Sequence, residues 1–154
     1  MSTKAHAPSW IAAILSWPAL LPIARTALVS AFLIGGIQKL VDFPGAVAEQ
    51  AHFGLQPAWL WATAAVIVEL GCSVLVIFGR WVWLGAGGLG VLTAVAMFAA
   101  NDFWVKAGHD RFIAVNDFFE HLGLVAGLVL VSVLSLHARS EKPHEAFHDL
   151  QPSR

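Results

Sequence analysis

Four apolar runs, at residues 19–40, 57–78, 81–100 and 118–138, occupy most of this 154-residue chain, and each is long enough to cross a bilayer. A hydrocarbon core of about 30 Å needs about 20 helical residues, and only helices or closed barrels satisfy their backbone polar groups in lipid. The runs do not alternate, so strands are not expected. The fold class predicted is all-α: an integral membrane four-helix bundle with its spans at those positions, a transmembrane domain over residues 1–138 and a polar tail over 139–154. Composition agrees: 58% hydrophobic, 12% charged and mean hydropathy +0.71, against about 25% charged in soluble domains. The lipid bilayer is the first partner.

Several functions are excluded at this level. Formal charge is −1 with no basic run, so no nucleic-acid surface is expected. The one cysteine, Cys72, leaves no intramolecular disulfide and no Cys-x-x-Cys pair. Residues 10–23 resemble a signal-peptide core behind Lys4, but the apolar run resumes after Arg25 without a convincing cleavage site. The start reads instead as an interfacial piece over residues 9–17, with Pro18 and Pro22 in the first turns of a helix, where proline is tolerated. No extramembrane segment has room for a soluble catalytic domain, so any chemistry belongs to the bundle or to a partner protein.

Loops are expected at about residues 41–56 and 102–116, with a tight turn at Gly79 and Arg80 that makes the second and third spans antiparallel neighbours. Lys4, Arg80, Arg139, Lys142 and Arg154 fall on one side, and Lys39, Lys106 and Arg111 on the other. The basic-residue rule places the first side, with both termini, in the cytoplasm. Trp10, Trp17, Trp81 and Trp83 mark one interface and Trp59, Trp61 and Trp104 the other.

Glu69 lies near the middle of the second span, where an acidic side chain costs about 2.5–3.5 kcal/mol to insert. Ala62, Ala65, Cys72 and Ser73 share its face and are small or weakly polar, so Glu69 is expected to point inward. Arg25, Phe32 and Lys39 recur every seven residues on the first span, placing both cations on one stripe. Arg25 lies about 9 Å and Glu69 about 13 Å from the same side, at 1.5 Å per residue. An Arg25–Glu69 pair is therefore expected, as a structural salt bridge or a proton-linked site.

The exterior ends of the helices gather Asn101, Asp102, Lys106, Asn116, Asp117, Glu120 and His121. Asp117 and Glu120 fit a capping pattern at the start of the fourth helix. Asp102 opposes the dipole at a helix C-terminus and has Lys106 four residues on for relief. His121 stands out because histidine is the side-chain type whose ordinary range lies near neutrality. Gly85-Ala86-Gly87-Gly88-Leu89-Gly90 matches a dinucleotide fingerprint, but with no strand before it the run reads as a helix-packing face, as does the Gly123, Gly127 pair. His144-Glu145-Ala146-Phe147-His148 matches a zinc-protease pattern, yet only six residues follow it. No third ligand is expected and no metal is predicted, although the tail histidines leave adventitious binding open.

In its motifs the chain resembles the DoxX family of small four-helix bacterial membrane proteins. The carriers are Arg25, Gly36-Ile37-Gln38-Lys39, Phe53-Gly54-Leu55-Gln56-Pro57, Glu69-Leu70-Gly71, Phe78-Gly79-Arg80 and Phe103-Trp104. They cover the chain from about residue 25 to 104, and the fourth helix more loosely. Relatives often carry a histidine before the Phe-Trp pair, where Asn101 and Asp102 stand here, so no role for it transfers. The resemblance implies a multi-pass inner-membrane protein associated with redox enzymes, including quinone-linked oxidation of sulfur compounds. Three functions follow as alternatives: an accessory or quinone-interacting subunit of a membrane oxidoreductase, a scaffold or anchor for a partner protein, or a small-molecule or proton carrier that works as a homo-oligomer. For the first, a polar mouth of Lys39, Asp102 and His121 above a cleft walled by Trp104 and Phe118 is expected. There Lys39 would donate to a carbonyl, His121 would exchange a proton and Asp102 would orient the imidazole.

Overall fold

The computed structural model describes residues 8–100 and 102–140, and no strand occurs among them. The His144 and His148 pair, Lys4 and Asn101 lie outside the described residues. Helix α1 (Ser9–Leu15) begins at Pro8 and buries none of its residues. It is the short interfacial piece expected before the first span. Four helices meet the length and hydropathy of membrane crossings: α2 (Leu20–Val41), α4 (Ala58–Ile77), α5 (Val82–Ala100) and α6 (Gly108–Ser140). Pro22 sits in the first turn of α2, where a backbone N–H has no intrahelical acceptor to lose.

Two connections depart from the sequence reading. The stretch after Val41 is largely helical, forming α3 (Phe43–His52). Asp42 starts it: its Oδ1 accepts from the Gly45 N–H at 3.0 Å, and Pro44 occupies the first turn. That is a capping arrangement in which proline costs nothing. The second loop is shorter than expected, because α6 begins at Gly108 and runs 33 residues. Such a helix is about 50 Å long against a hydrocarbon core of about 30 Å, so its first turns project beyond the bilayer. Asp117 and Glu120 consequently lie inside α6 and do not cap it.

Within α4 the residues Val68–Cys72 form a π-helical turn, a widening that single helices tolerate mainly at functional positions. Gly79, at φ +70°, reverses the chain into α5, a conformation that only glycine adopts without strain. A Cβ there would also meet Arg25 Nη1 at 2.6 Å. The glycine-rich run of α5 packs closely at two positions: a Cβ at Gly85 would lie 2.6 Å from the Cys72 carbonyl oxygen and one at Gly88 2.7 Å from Cys72 Sγ, while at Gly87 and Gly90 it would meet nothing within 4 Å. Gly127 gives the same close approach to Leu28, whereas Gly123 has no neighbour within 4 Å.

The apolar core is concentrated at one end of the bundle. Val29, Val76, Val82, Leu89, Leu128 and Val131 form it, around the Gly79 turn. Arg25 near the start of α2 donates through Nη2 to Ser135 Oγ near the end of α6 at 2.8 Å. The first and last spans therefore begin and end on the same side, which an even number of crossings requires.

Candidate functional site

At the other end of the bundle the spans separate, and Glu69 stands where they part. It lies on the π-helical turn and is buried, at 8% exposure. Its Oε1 accepts from Lys39 Nζ at 2.8 Å, with side-chain exposures of 10% for Glu69 and 21% for Lys39. Its Oε2 is buried and has no hydrogen-bond partner among the described residues. A carboxylate oxygen held out of water without a donor is costly unless something else satisfies it.

The partner of Glu69 is a correction to the sequence reading, which paired it with Arg25. With the ends of spans 19–40 and 57–78 drawn level, Glu69 would stand opposite residue 28. It stands opposite Gly36 instead: a Cβ at Gly36 would lie 3.1 Å from Glu69 Cβ and 2.8 Å from Leu70 Cδ2. The shift of eight residues amounts to about 12 Å along the helix at 1.5 Å per residue. It carries Arg25 down to Gly79 and Ser135 and brings Lys39 within reach of Glu69. Gly35 and Gly36 permit the approach, since Glu69 Oε2 and Lys39 Nζ both lie within 3.6 Å of where a Gly35 Cβ would be. The common stripe of Arg25 and Lys39 does face α4, but its two cations serve different partners.

Next to this pair is a cavity of about 510 Å³, within the range that holds a small organic ligand. Its long walls come from α4 (Trp61, Ala64, Ala65, Val68) and α5 (Gly88, Val91, Leu92, Val95, Ala96, Ala99). Small residues along both helices make the room. Trp61, Val91 and Val95 line the cavity and are also exposed, at 45%, 67% and 49%. The space therefore opens sideways at the level of the membrane spans. Its polar lining comprises Lys39 and Glu69, Glu49 and Gln50 of α3, and Asp117 and His121 of α6. Sequence reasoning missed Glu49 and Gln50 because it took residues 41–56 as a loop, although the Asp42 cap was a readable sign of a helix.

His121 holds its ring by an Nδ1 to Asp117 carbonyl contact of 2.6 Å. A carbonyl only accepts, so Nδ1 carries the proton and Nε2 of the neutral ring is an acceptor. The expectation that Asp102 orients this imidazole is corrected: the backbone of α6 does so. Asp102 instead pairs with Lys106, Oδ1 to Nζ at 2.9 Å, on a partly exposed loop, which is the relief its position at a helix end required. The hydrogen bond and charge of that ammonium hold the Asp102 carboxyl below the usual carboxylate range. Trp104 is likewise outside the cavity, exposed and set edge-on to Phe103. Phe103 joins Phe98, Phe118 and Phe119 in a run of edge-to-face aromatic contacts. Of the three expected mouth residues, Lys39 and His121 line one cavity and Asp102 stands outside it, as does Trp104, the expected wall.

Comparison with known proteins bears on the same region. The DoxX family profile matches residues 20–102, which include α2 to α5 and Glu69 with its cavity walls. The chain is also similar to inner membrane protein YphA of Escherichia coli (strain K12), at 39% identity over 62 residues, covering 40% of this chain and 44% of that protein. The match thus spans less than half of the relative's length. No solved structure matches the chain significantly. With four spans built around a buried Glu69 and a profile match over more than half of its length, this multi-pass inner-membrane protein belongs to the DoxX family.

Proposed function

We propose that this protein is an accessory, quinone-interacting subunit of a membrane oxidoreductase system, binding the headgroup of a lipid-phase quinone in the cavity between α4 and α5. The observation that carries the reading is a largely apolar cavity whose lining holds a few polar groups, among them the Lys39–Glu69 pair. The walls suit an isoprenoid or alkyl tail. The polar lining offers Glu69 Oε2, a buried atom without a partner among the described residues, beside Lys39 and His121. Few convergent polar groups in an apolar cleft are the general form of a small-molecule site. Its sideways opening suits a ligand that arrives through the bilayer, and a bound quinone would supply two-electron chemistry to the partner enzyme. The residues of this chain bind and orient; none is assigned a redox step.

Trp61, which lines the cavity, is the reporter for the test. Titration of the protein in nanodiscs with a ubiquinone analogue is expected to quench tryptophan fluorescence saturably, with the change much reduced in Trp61→Phe. Ala96→Phe, which fills the cavity from α5, is expected to weaken binding at least tenfold without loss of fold. Absence of saturable binding by the wild type overturns the reading and leaves the protein as a scaffold for its partner.

The orientation belongs to the same proposal. Both termini and Arg80 face the cytoplasm, and the polar lining of the cavity lies toward the exterior, by the excess of Lys and Arg on the first side. Cysteines at Ser140 and Gly108 in a Cys72→Ser background are expected to label from opposite sides. Exterior labelling of position 140 reverses the arrangement.

A further inference from the structure

We infer that the cavity selects a hydrogen-bond-donating headgroup, so that the hydroxyl-bearing, reduced form of a ring-headed lipid binds in preference to the form that carries carbonyls only. This rests on the reading of the cavity as a quinone site and deepens it. It follows from an inventory of the polar atoms on the cavity's lining. Glu69 Oε2 is a carboxylate oxygen on a side chain nine-tenths buried, with no donor to it among the described residues. His121 has turned Nδ1 back onto the Asp117 carbonyl, so in the neutral ring its remaining nitrogen, Nε2, accepts. Glu49 and Asp117 add two more acceptor-only side chains.

Donors on the same lining are fewer. The Lys39 ammonium directs one of its three N–H donors to Glu69 Oε1 at 2.8 Å and keeps two. The Gln50 amide and the Trp61 indole are neutral. Counting charges, one ammonium faces three carboxylates, so the polar lining is acidic and repels anionic headgroups such as phosphate. A carbonyl placed against Glu69 Oε2 sets two acceptors against each other in a low-dielectric space, and Oε2 remains unsatisfied even where Lys39 donates to the carbonyl. A hydroxyl placed there donates to a carboxylate, one of the stronger neutral-to-ion hydrogen bonds. The π-helical turn at Val68–Cys72 is the local device that sets the carboxylate at the cavity edge.

The test compares two forms of one molecule, so that tail length and partition into the bilayer are matched. Decylubiquinol, kept reduced under anaerobic conditions, and decylubiquinone are titrated separately by calorimetry into the protein in nanodiscs. The reduced form is expected to bind at least tenfold more tightly. His121→Phe removes one acceptor and Glu69→Gln replaces the carboxylate by an amide that can also donate; each is expected to narrow the gap, Glu69→Gln more. Equal affinities, or tighter binding of the oxidised form by the wild type, overturn the selection while leaving the quinone reading intact. No binding of either form overturns the quinone reading itself. The decisive comparison uses wild-type protein alone, so misfolding of a variant does not blur the outcome.

Discussion

Arg25 and Lys39 stand fourteen residues apart on one face of α2, and the two ends of the bundle treat them differently. Around Arg25 the space is filled. Its guanidinium donates to Ser135 on the last helix and lies against Gly79 at the turn, beside the tightest part of the apolar core. Around Lys39 the helices part: its ammonium meets a buried carboxylate whose second oxygen faces no donor, on the edge of a 510 Å³ cavity. A cation bonded across packed helices acts as a structural tie. A charge pair with spare capacity beside open space has the form of the proposed binding site.

The largest effect expected from breaking this contrast lies at the Lys39–Glu69 pair. Removing one partner of a buried pair strands the other charge, at a cost of about 3–5 kcal/mol, whereas replacing both removes the stranded charge as well. Lys39→Met and Glu69→Gln are each expected to destabilise strongly in detergent unfolding, with the double variant much closer to wild type. The same cycle between Arg25→Met and Glu69→Gln is expected to be additive within about 0.5 kcal/mol. Coupling of Glu69 to Arg25 rather than to Lys39 would restore the flush register and break the contrast.

This register marks the boundary of what the sequence made legible. The four spans were readable because lipid leaves an unbroken apolar run little alternative to a helix, and Glu69 was readable because a carboxylate in such a run demands a reason. The inward stripe of Arg25 and Lys39 also follows from the helical period. How far two helices slide past one another does not, since uniform apolar faces look alike to each other at many offsets. Here the offset is set by the Gly35–Gly36 pair meeting Glu69 and Leu70, a tertiary fit that periodicity does not encode. Hydropathy also passes over helix that stands in water: α3 and the first turns of α6 are polar enough to resemble loops. Asp102 and Trp104 were grouped with His121 on level alone, and sharing a level does not place side chains on one surface.

Packing between α4 and α5 sharpens the comparison at a smaller magnitude. Gly85 faces the Cys72 carbonyl so closely that Gly85→Val forces the helices apart, an overpacking expected to cost about 1–3 kcal/mol. Gly90, on the same helix, has no neighbour within 4 Å. Gly90→Ala is expected to be neutral or to stabilise by up to about 1 kcal/mol, because alanine loses less backbone entropy in a helix. Thermal unfolding of the two variants separates a close-packed face from an open one. Equal losses would mean that the glycine run acts through something other than contact with Cys72.

At the packed end, Ser135→Ala withdraws one acceptor from Arg25 and leaves the guanidinium its other contacts. A hydrogen bond to a charged group contributes about 1.5–3 kcal/mol, and partial compensation places the expected loss near the lower figure. Ligand binding in the distant cavity should not change. A Ser135→Ala variant that alters the affinity for a quinone analogue would join the two ends into one functional unit and remove the distinction between tie and site.

The smallest effect is expected at Asp102, the acid that lies outside both regions. Its hydrogen bond to Lys106 lowers its carboxyl below the ordinary range, and desolvation opposes that without cancelling it. A depressed native value means that the unfolded chain binds the proton more readily than the folded one. Any stabilisation is therefore in place above the ordinary carboxylate range and is lost as the pH falls through the lowered value. Because the pair is solvent-screened, Asp102→Asn is expected to leave stability at neutral pH unchanged within error and to remove only a shallow acid-side slope that Lys106→Gln removes equally. Stability followed from neutral to acid pH in the wild type and both variants reads this directly. A large neutral-pH loss in Asp102→Asn, or weakened quinone binding, would move Asp102 from the surface into the cavity lining beside His121, away from its place against Lys106.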